Sequence, residues 1–159
     1  MKAASVNEIK QELKEKPSSQ LIELCLRLVR YKKENKELIT YLLFEAHDIE
    51  AYISSIKEEM DESFNDINKT NLYFAKKSLR KILRIANKYI RYTGSKIVET
   101  ELLLYFCNKL NDSKIPFHNS TALTNIYIAQ QKKLKEAIAS MHEDLQYEYL
   151  AQFEKLDKS

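Results

Sequence analysis

The chain has 159 residues, a formal net charge of +3, one glycine, two prolines and two cysteines, and 44% of its residues are hydrophobic. This length can bury a sizeable core, and the hydrophobic content is too high for a disordered chain. A single glycine excludes glycine-rich phosphate-binding loops, and the scarcity of turn-forming residues disfavours a sheet. We therefore predict an all-α protein with a single domain over residues 1–159.

Caps, breaks and apolar periodicity predict about seven helices, packed as antiparallel pairs with short connections. Ser5 and Glu8 have the spacing of a capping box at the start of the first helix, and Pro17 ends that helix. Asn35 is the expected N-cap of the third helix. The predicted helices cover residues 6–16, 18–33, 36–47, 49–67, 72–93, 96–110 and 120–156.

Four further details follow from local sequence. Residues 41–44 of the third helix are apolar, so we expect this helix to lie at the centre of the fold. Gly94 fits the left-handed position that ends the fifth helix. Ser140 and Glu143 have the spacing of a second capping box, so residues 120–156 form either one helix or two. The tail at residues 157–159 is expected to fray.

A weak internal similarity relates two helices. Residues 23–26 (ELCL) and 101–104 (ELLL) lie 78 positions apart, which two helix pairs of about 39 residues would span. With antiparallel helix pairs, this spacing resembles that of α-helical repeat proteins of the HEAT and armadillo type, over roughly residues 18–140. The resemblance implies a short helical array, and a closed helical bundle is the alternative architecture.

The strongest local signal is a reversal of charge between the fourth and fifth helices. Residues 45–66 contain eight carboxylates and one lysine, whereas residues 67–98 contain nine basic residues and no acidic one. On a helical wheel the cations of the fifth helix fill an arc of about 140° beside an apolar arc. Phe74, Ile85 and Tyr92 lie on the far edge of the basic arc, which indicates packing on two sides.

This basic arc is the predicted contact surface. Like charges four residues apart repel each other along a helix, so we expect counterions from elsewhere. Three sources are open: carboxylates of the fourth helix, an acidic protein partner or second copy of this chain, and nucleic-acid phosphates with Tyr92 or Phe74 stacking on a base. The candidate binding residues are Lys76, Lys77, Arg80, Lys81, Arg84, Lys88, Arg91 and Tyr92.

No motif for catalysis, for a cofactor or for a metal is evident. His47, His118 and His142 are scattered, and none belongs to a metal-binding pattern such as HExxH. Cys25 and Cys107 lie in apolar stretches, which predicts two buried thiols. We therefore expect a non-enzymatic interaction or scaffold protein without cofactors. No segment is long and apolar enough to span a membrane and no signal peptide is visible, so we expect a cytoplasmic protein.

Overall fold

The computed structural model describes residues 1–156, in which eight α-helices and no strand occur. The all-α prediction is confirmed, and neighbouring helices pack in pairs. One helix is added to the predicted seven because residues 120–156 form two helices. The predicted fraying at residues 157–159 lies outside the described residues. The helices are α1 (Val6–Lys14), α2 (Ser18–Tyr31), α3 (Lys33–Thr40), α4 (Ile49–Asn65), α5 (Leu72–Thr93), α6 (Lys96–Asp112), α7 (Thr121–Ala139) and α8 (Glu143–Leu156).

The chain divides into two compact units, the first over residues 1–44 and the second from residue 45 onward. The first unit contains α1, α2 and α3, and Tyr41 is its only buried residue. The capping box of α1 is confirmed, because the Ser5 hydroxyl accepts the N–H of Glu8 while the Glu8 carboxylate accepts the N–H of Ser5. The prediction of a single domain stays a prediction.

Two expectations about the third helix are wrong. Asn35 lies inside α3, where its side chain donates to the Leu28 carbonyl at 2.7 Å, and Lys32 takes the N-cap position. Leu42, Leu43 and Phe44 are 56–67% exposed, so the third helix does not lie at the centre of the fold. The predicted apolar run of residues 41–44 does not belong to α3 but to a π-helical turn, Tyr41–Glu45, that follows it, and only Tyr41 in this turn is buried.

The central helix of the second unit is α6, which contacts α4, α5, α7 and α8. A helix with apolar side chains on every side is stable only where other helices surround it. This description fits α6, whereas the sequence analysis predicted that the third helix lies at the centre of the fold. The buried residues of α6 are Val98, Thr100, Leu102, Leu103, Leu104, Phe106, Cys107 and Leu110.

The break between α7 and α8 occurs where the sequence predicted it, but with different contacts. Ser140 is the C-cap of α7, and its hydroxyl donates to the Ala137 carbonyl at 2.7 Å. It therefore does not form the predicted capping box with Glu143. Instead the His142 carbonyl accepts the N–H groups of Leu145 and Gln146, the third and fourth residues of α8, at 3.0 Å each.

Candidate binding surface

The candidate surface lies on α5, a helix whose two ends are well defined. The Asn71 side chain accepts the N–H groups of Tyr73 and Phe74, at 3.1 and 3.2 Å, which caps the start of the helix. Gly94 ends it in the left-handed conformation, with φ of +62°. The predicted range of this helix is confirmed. Its 22 residues span about 33 Å.

The apolar side of α5 fixes the rotation of the helix about its own axis. It packs against α4 and α6. Two tyrosines add directional contacts, since the Tyr52 hydroxyl donates to the Tyr89 carbonyl at 3.2 Å and the Tyr89 hydroxyl donates to Glu59 at 3.0 Å. The predicted apolar arc is buried except at Tyr89, which lies at its edge, and Leu72, the first residue of the helix, which are both half-buried. The buried residues are Ala75, Leu79, Ile82, Leu83, Ala86 and Ile90.

Most of the predicted cations lie on the exposed side of α5. Lys76 and Lys88 are half-buried, and the Lys88 ammonium lies 4.9 Å from the centre of the Tyr89 ring. The exposed cations are Lys77, Arg80, Lys81, Arg84 and Arg91. Together with Lys76 these five form no ion pair among the described residues. We call these six residues the basic face.

Neutralisation of the basic face by carboxylates of α4 is therefore not observed. Asp61 of α4 binds Lys109 of α6 at 2.8 Å and also accepts the Tyr105 hydroxyl at 2.7 Å. Glu59 accepts the Tyr89 hydroxyl. The acidic side of α4 is thus partly satisfied by α6 and by a tyrosine of α5, which leaves the charge of the basic face uncompensated within the described residues.

An exposed aromatic pair at the first turn of α5 adjoins the basic face. The rings of Tyr73 and Phe74, 56% and 51% exposed, lie edge to face with centroids 5.6 Å apart. The ammonium groups of Lys77 and Lys76 lie 4.6 and 5.5 Å from the centre of the Tyr73 ring. Sequence reasoning left Tyr73 out of the site. Its position on the helical wheel, the same as that of Arg91, would have placed it in the middle of the basic arc.

The predicted second packing edge of α5 is only partly formed. Ile85 and Tyr92 are half-buried, and the Tyr92 ring lies 6.2 Å from that of Tyr89. Phe74 is exposed, so the expectation of packing on two sides is wrong at the first turn. A wheel gives the angle at which a side chain leaves the helix, but it does not determine whether a neighbouring helix lies there.

A cleft of about 520 Å³ in the second unit contains a cluster of polar contacts that the sequence did not predict. Its walls include Lys57 of α4, Glu101 of α6 and Tyr149 of α8. Glu101 accepts from the Lys57 ammonium at 2.7 Å and from the Tyr149 hydroxyl at 3.0 Å. Burial and the Glu101 charge raise the pKa of Tyr149. Every charge of this trio is compensated, so the cluster joins three helices without leaving a free acid or base.

The contact between Asp61, Tyr105 and Lys109 is of the same kind. Burial alone would raise the pKa of Asp61, but hydrogen bonds from Lys109 and Tyr105 outweigh it, and the pKa is lowered. Burial and the neighbouring carboxylate raise the pKa of Tyr105. The hydrogen bond to Asp61 raises the pKa of Lys109. The lowered pKa of Asp61 and the raised pKa of Lys109 both mean that the contact favours the charged forms, so the cluster is a structural link between α4 and α6.

The histidines and thiols form no constellation with these clusters. His47, His118 and His142 are all exposed, and within residues 1–156 no three His, Cys, Asp or Glu side chains are placed to hold a metal ion. Cys107 is buried as predicted, and burial raises the pKa of its thiol to about 12. Cys25 is exposed, so the prediction of two buried thiols is wrong for this residue, because α2 contributes no buried side chain to a core.

The fold and the surface define an all-α protein with a long, exposed cationic helix face. Comparison of the chain with protein-family models, with curated proteins and with solved structures found no match. Over the part of the chain that the structure describes, no helix has the combined length and apolar character needed to cross a membrane.

Proposed function

We propose that this chain is a non-enzymatic interaction protein whose basic face binds an acidic protein partner. The observation that supports the proposal most directly is that six cations of one rigidly packed helix lack carboxylate partners among the described residues. An uncompensated row of like charges destabilises the free helix, and a bound acidic surface removes that cost. Complementary charge also accelerates association.

The chemistry of the face fits a protein partner. Arg80, Arg84 and Arg91 offer planar guanidinium groups that bind carboxylates in a bidentate manner. Tyr73 provides an exposed aromatic ring in the same arc, and arginine and tyrosine are enriched among the residues that dominate the energy of protein interfaces. Because the opposite side of α5 is buried, the face is presented without a rearrangement of the fold.

The test uses the full chain and a defined probe, fluorescein-labelled poly-L-glutamate, with binding followed by fluorescence anisotropy. We expect binding that weakens at least tenfold between about 50 mM and about 500 mM NaCl, because exposed charges are screened by salt. Replacement of Arg80 and Arg84 by glutamate should abolish it. The control variant Lys132→Glu/Lys135→Glu makes the same change of charge on exposed positions of α7 and should retain most of the binding.

Equal loss in the two variants would mean that only net charge matters, and this result would contradict a specific role of α5. Absence of wild-type binding at the lower salt concentration would also contradict the proposed role of α5.

A second candidate function, binding of single-stranded nucleic acid, is favoured by one observation. Tyr73 and Phe74 are exposed aromatic rings beside two lysines, the combination that stacks on unpaired bases while cations bind the phosphates. This function predicts tighter binding of oligo-dT than of poly-L-glutamate. Tyr73→Ala/Phe74→Ala should then weaken oligo-dT binding at least tenfold and leave poly-L-glutamate binding unchanged. Equal effects on both probes would contradict the stacking role.

A further inference from the structure

The first unit, residues 1–44, exposes an unusual amount of apolar surface. Eight of the fourteen residues of α2 are apolar and fill an arc of about 220° around the helix. Contact with α3 covers only part of it, because Ile22 and Leu28 are each 59% exposed. A cavity of about 200 Å³ remains between α2 and α3. An apolar surface of this extent in a folded chain marks an interaction site.

The first helix, α1, also exposes apolar side chains. Val6, Ile9 and Leu13 form an apolar stripe about 60° wide and are 84%, 47% and 39% exposed. The stripe and Leu21 of α2 border an open apolar cavity of about 540 Å³. Protein interiors are close-packed, so these side chains do not form a core of their own.

The charges beside this stripe are separated by sign. Lys10 and Lys14 follow the stripe on one side of α1, and we call them the lysine flank. Glu12 and Glu8 follow it on the other side, and we call them the glutamate flank. Lys10, Lys14 and Glu12 form no ion pair among the described residues. Each flank therefore has charge available for a partner.

We propose that residues 1–44 are a homodimerisation surface, in which α1 packs in parallel against α1 of a second copy. A two-fold axis parallel to the two helices joins their apolar stripes and brings the lysine flank of each copy against the glutamate flank of the other. Charges that border an apolar seam set partner and orientation in the same way in coiled coils. Antiparallel packing would instead oppose like charges on both sides.

Charge complementarity favours a second copy over other occupants. A partner of uniform charge would attract one flank and repel the other, and an anionic membrane surface would meet the glutamate flank unfavourably. A second copy satisfies both flanks. A dimer would also carry two basic faces, and two linked sites raise the apparent affinity for a partner with repeated acidic segments.

The experiment is sedimentation equilibrium of the full chain, with two charge variants that keep the capping box of α1. Lys10→Glu places a glutamate next to the apolar stripe on both sides, and Glu12→Lys places a lysine there on both sides, while Lys14 and Glu8 are kept. We expect the wild type to dimerise and each variant alone to dissociate at least tenfold more readily. An equimolar mixture of the two variants should associate about as strongly as the wild type, because the heterodimer restores opposite charges on both sides of the seam.

Matched controls come from Gln11, which lies opposite the stripe on the same helix. Gln11→Glu and Gln11→Lys should dimerise like the wild type, and so should Arg80→Glu/Arg84→Glu, which changes only the basic face. Circular dichroism would establish that every variant keeps its helix content. A wild type that is monomeric at about 100 μM, or a mixture that associates no better than its components, would overturn the proposal. Failure of the poly-L-glutamate test would leave this result unaffected.

Discussion

Asp61 of α4 binds Lys109 of α6, with 2.8 Å between the carboxylate Oδ1 and the ammonium Nζ. The two residues lie on helices that are not consecutive in the chain, and the pair links α4 directly to the central helix. The Asp61 carboxylate is thus engaged by α6 and is not a counterion of the basic face.

We expect the Asp61 pair to make stability depend on pH in acid. The pKa of Asp61 is below its usual 3.8 in the folded chain, so its contribution is complete above the unfolded-state pKa and is lost as the pH falls through the lower folded-state value. Asp61→Asn should therefore lower the free energy of unfolding near pH 7, by less than about 1 kcal/mol because the pair is partly exposed. Urea titrations should show this difference shrinking between about pH 5 and about pH 2. A difference that is constant with pH would contradict the assignment.

Replacing Thr100 by valine should stabilise the protein. The Thr100 side chain is fully buried in α6, and its hydroxyl has no hydrogen-bond partner among the described residues. A buried hydroxyl without a partner costs about 1–3 kcal/mol, and valine has nearly the same shape without that group. We expect the free energy of unfolding to rise by about 1 kcal/mol, measured by urea denaturation. Thr100→Ser keeps the hydroxyl and removes a methyl group, so it should destabilise the chain; stabilisation by serine would contradict this explanation.

The two thiols should differ sharply in reactivity. Cys25 is exposed, whereas Cys107 is buried with its pKa raised to about 12 by burial, so the reactive thiolate is scarce there. At about pH 8, and at a concentration that keeps the chain monomeric, a thiol reagent should label one cysteine rapidly and the second only after urea is added. Cys25→Ser should remove the rapid phase alone. Rapid labelling of Cys107 in that variant would show that the α6 core opens readily.

Gly94 should be difficult to replace. Its φ of +62° disfavours residues with a side chain, although a Cβ built there would contact nothing within 4 Å. Gly94→Ala should therefore cost about 1–2 kcal/mol of stability through backbone strain alone. Gly94→Asn should cost less, because asparagine tolerates the left-handed conformation. The two variants are compared by thermal and urea unfolding, and an alanine variant as stable as the wild type would contradict the strain.

Local sequence determined the helices and most of their ends. The capping box of Ser5 and Glu8, the Gly94 terminus and the range of α5 all depend on residues within four positions of each other, so they follow from composition and spacing. The basic arc was predictable for the same reason, because a regular helix converts sequence spacing directly into angle. Tyr73 was within reach of this argument, because its angle on the helical wheel falls within the basic arc.

Only the tertiary structure decided which helix faces are covered by other helices. Apolar side chains occur both in α6, which contacts four helices, and at residues 41–44, of which Leu42, Leu43 and Phe44 are exposed. Likewise the pairing of Asp61 with Lys109 and the exposure of Cys25 depend on which helices meet. Periodicity records the angle at which a side chain leaves its own helix. Burial and ion pairing also require a second helix at that angle, and the position of that helix is set by packing between residues far apart in the chain.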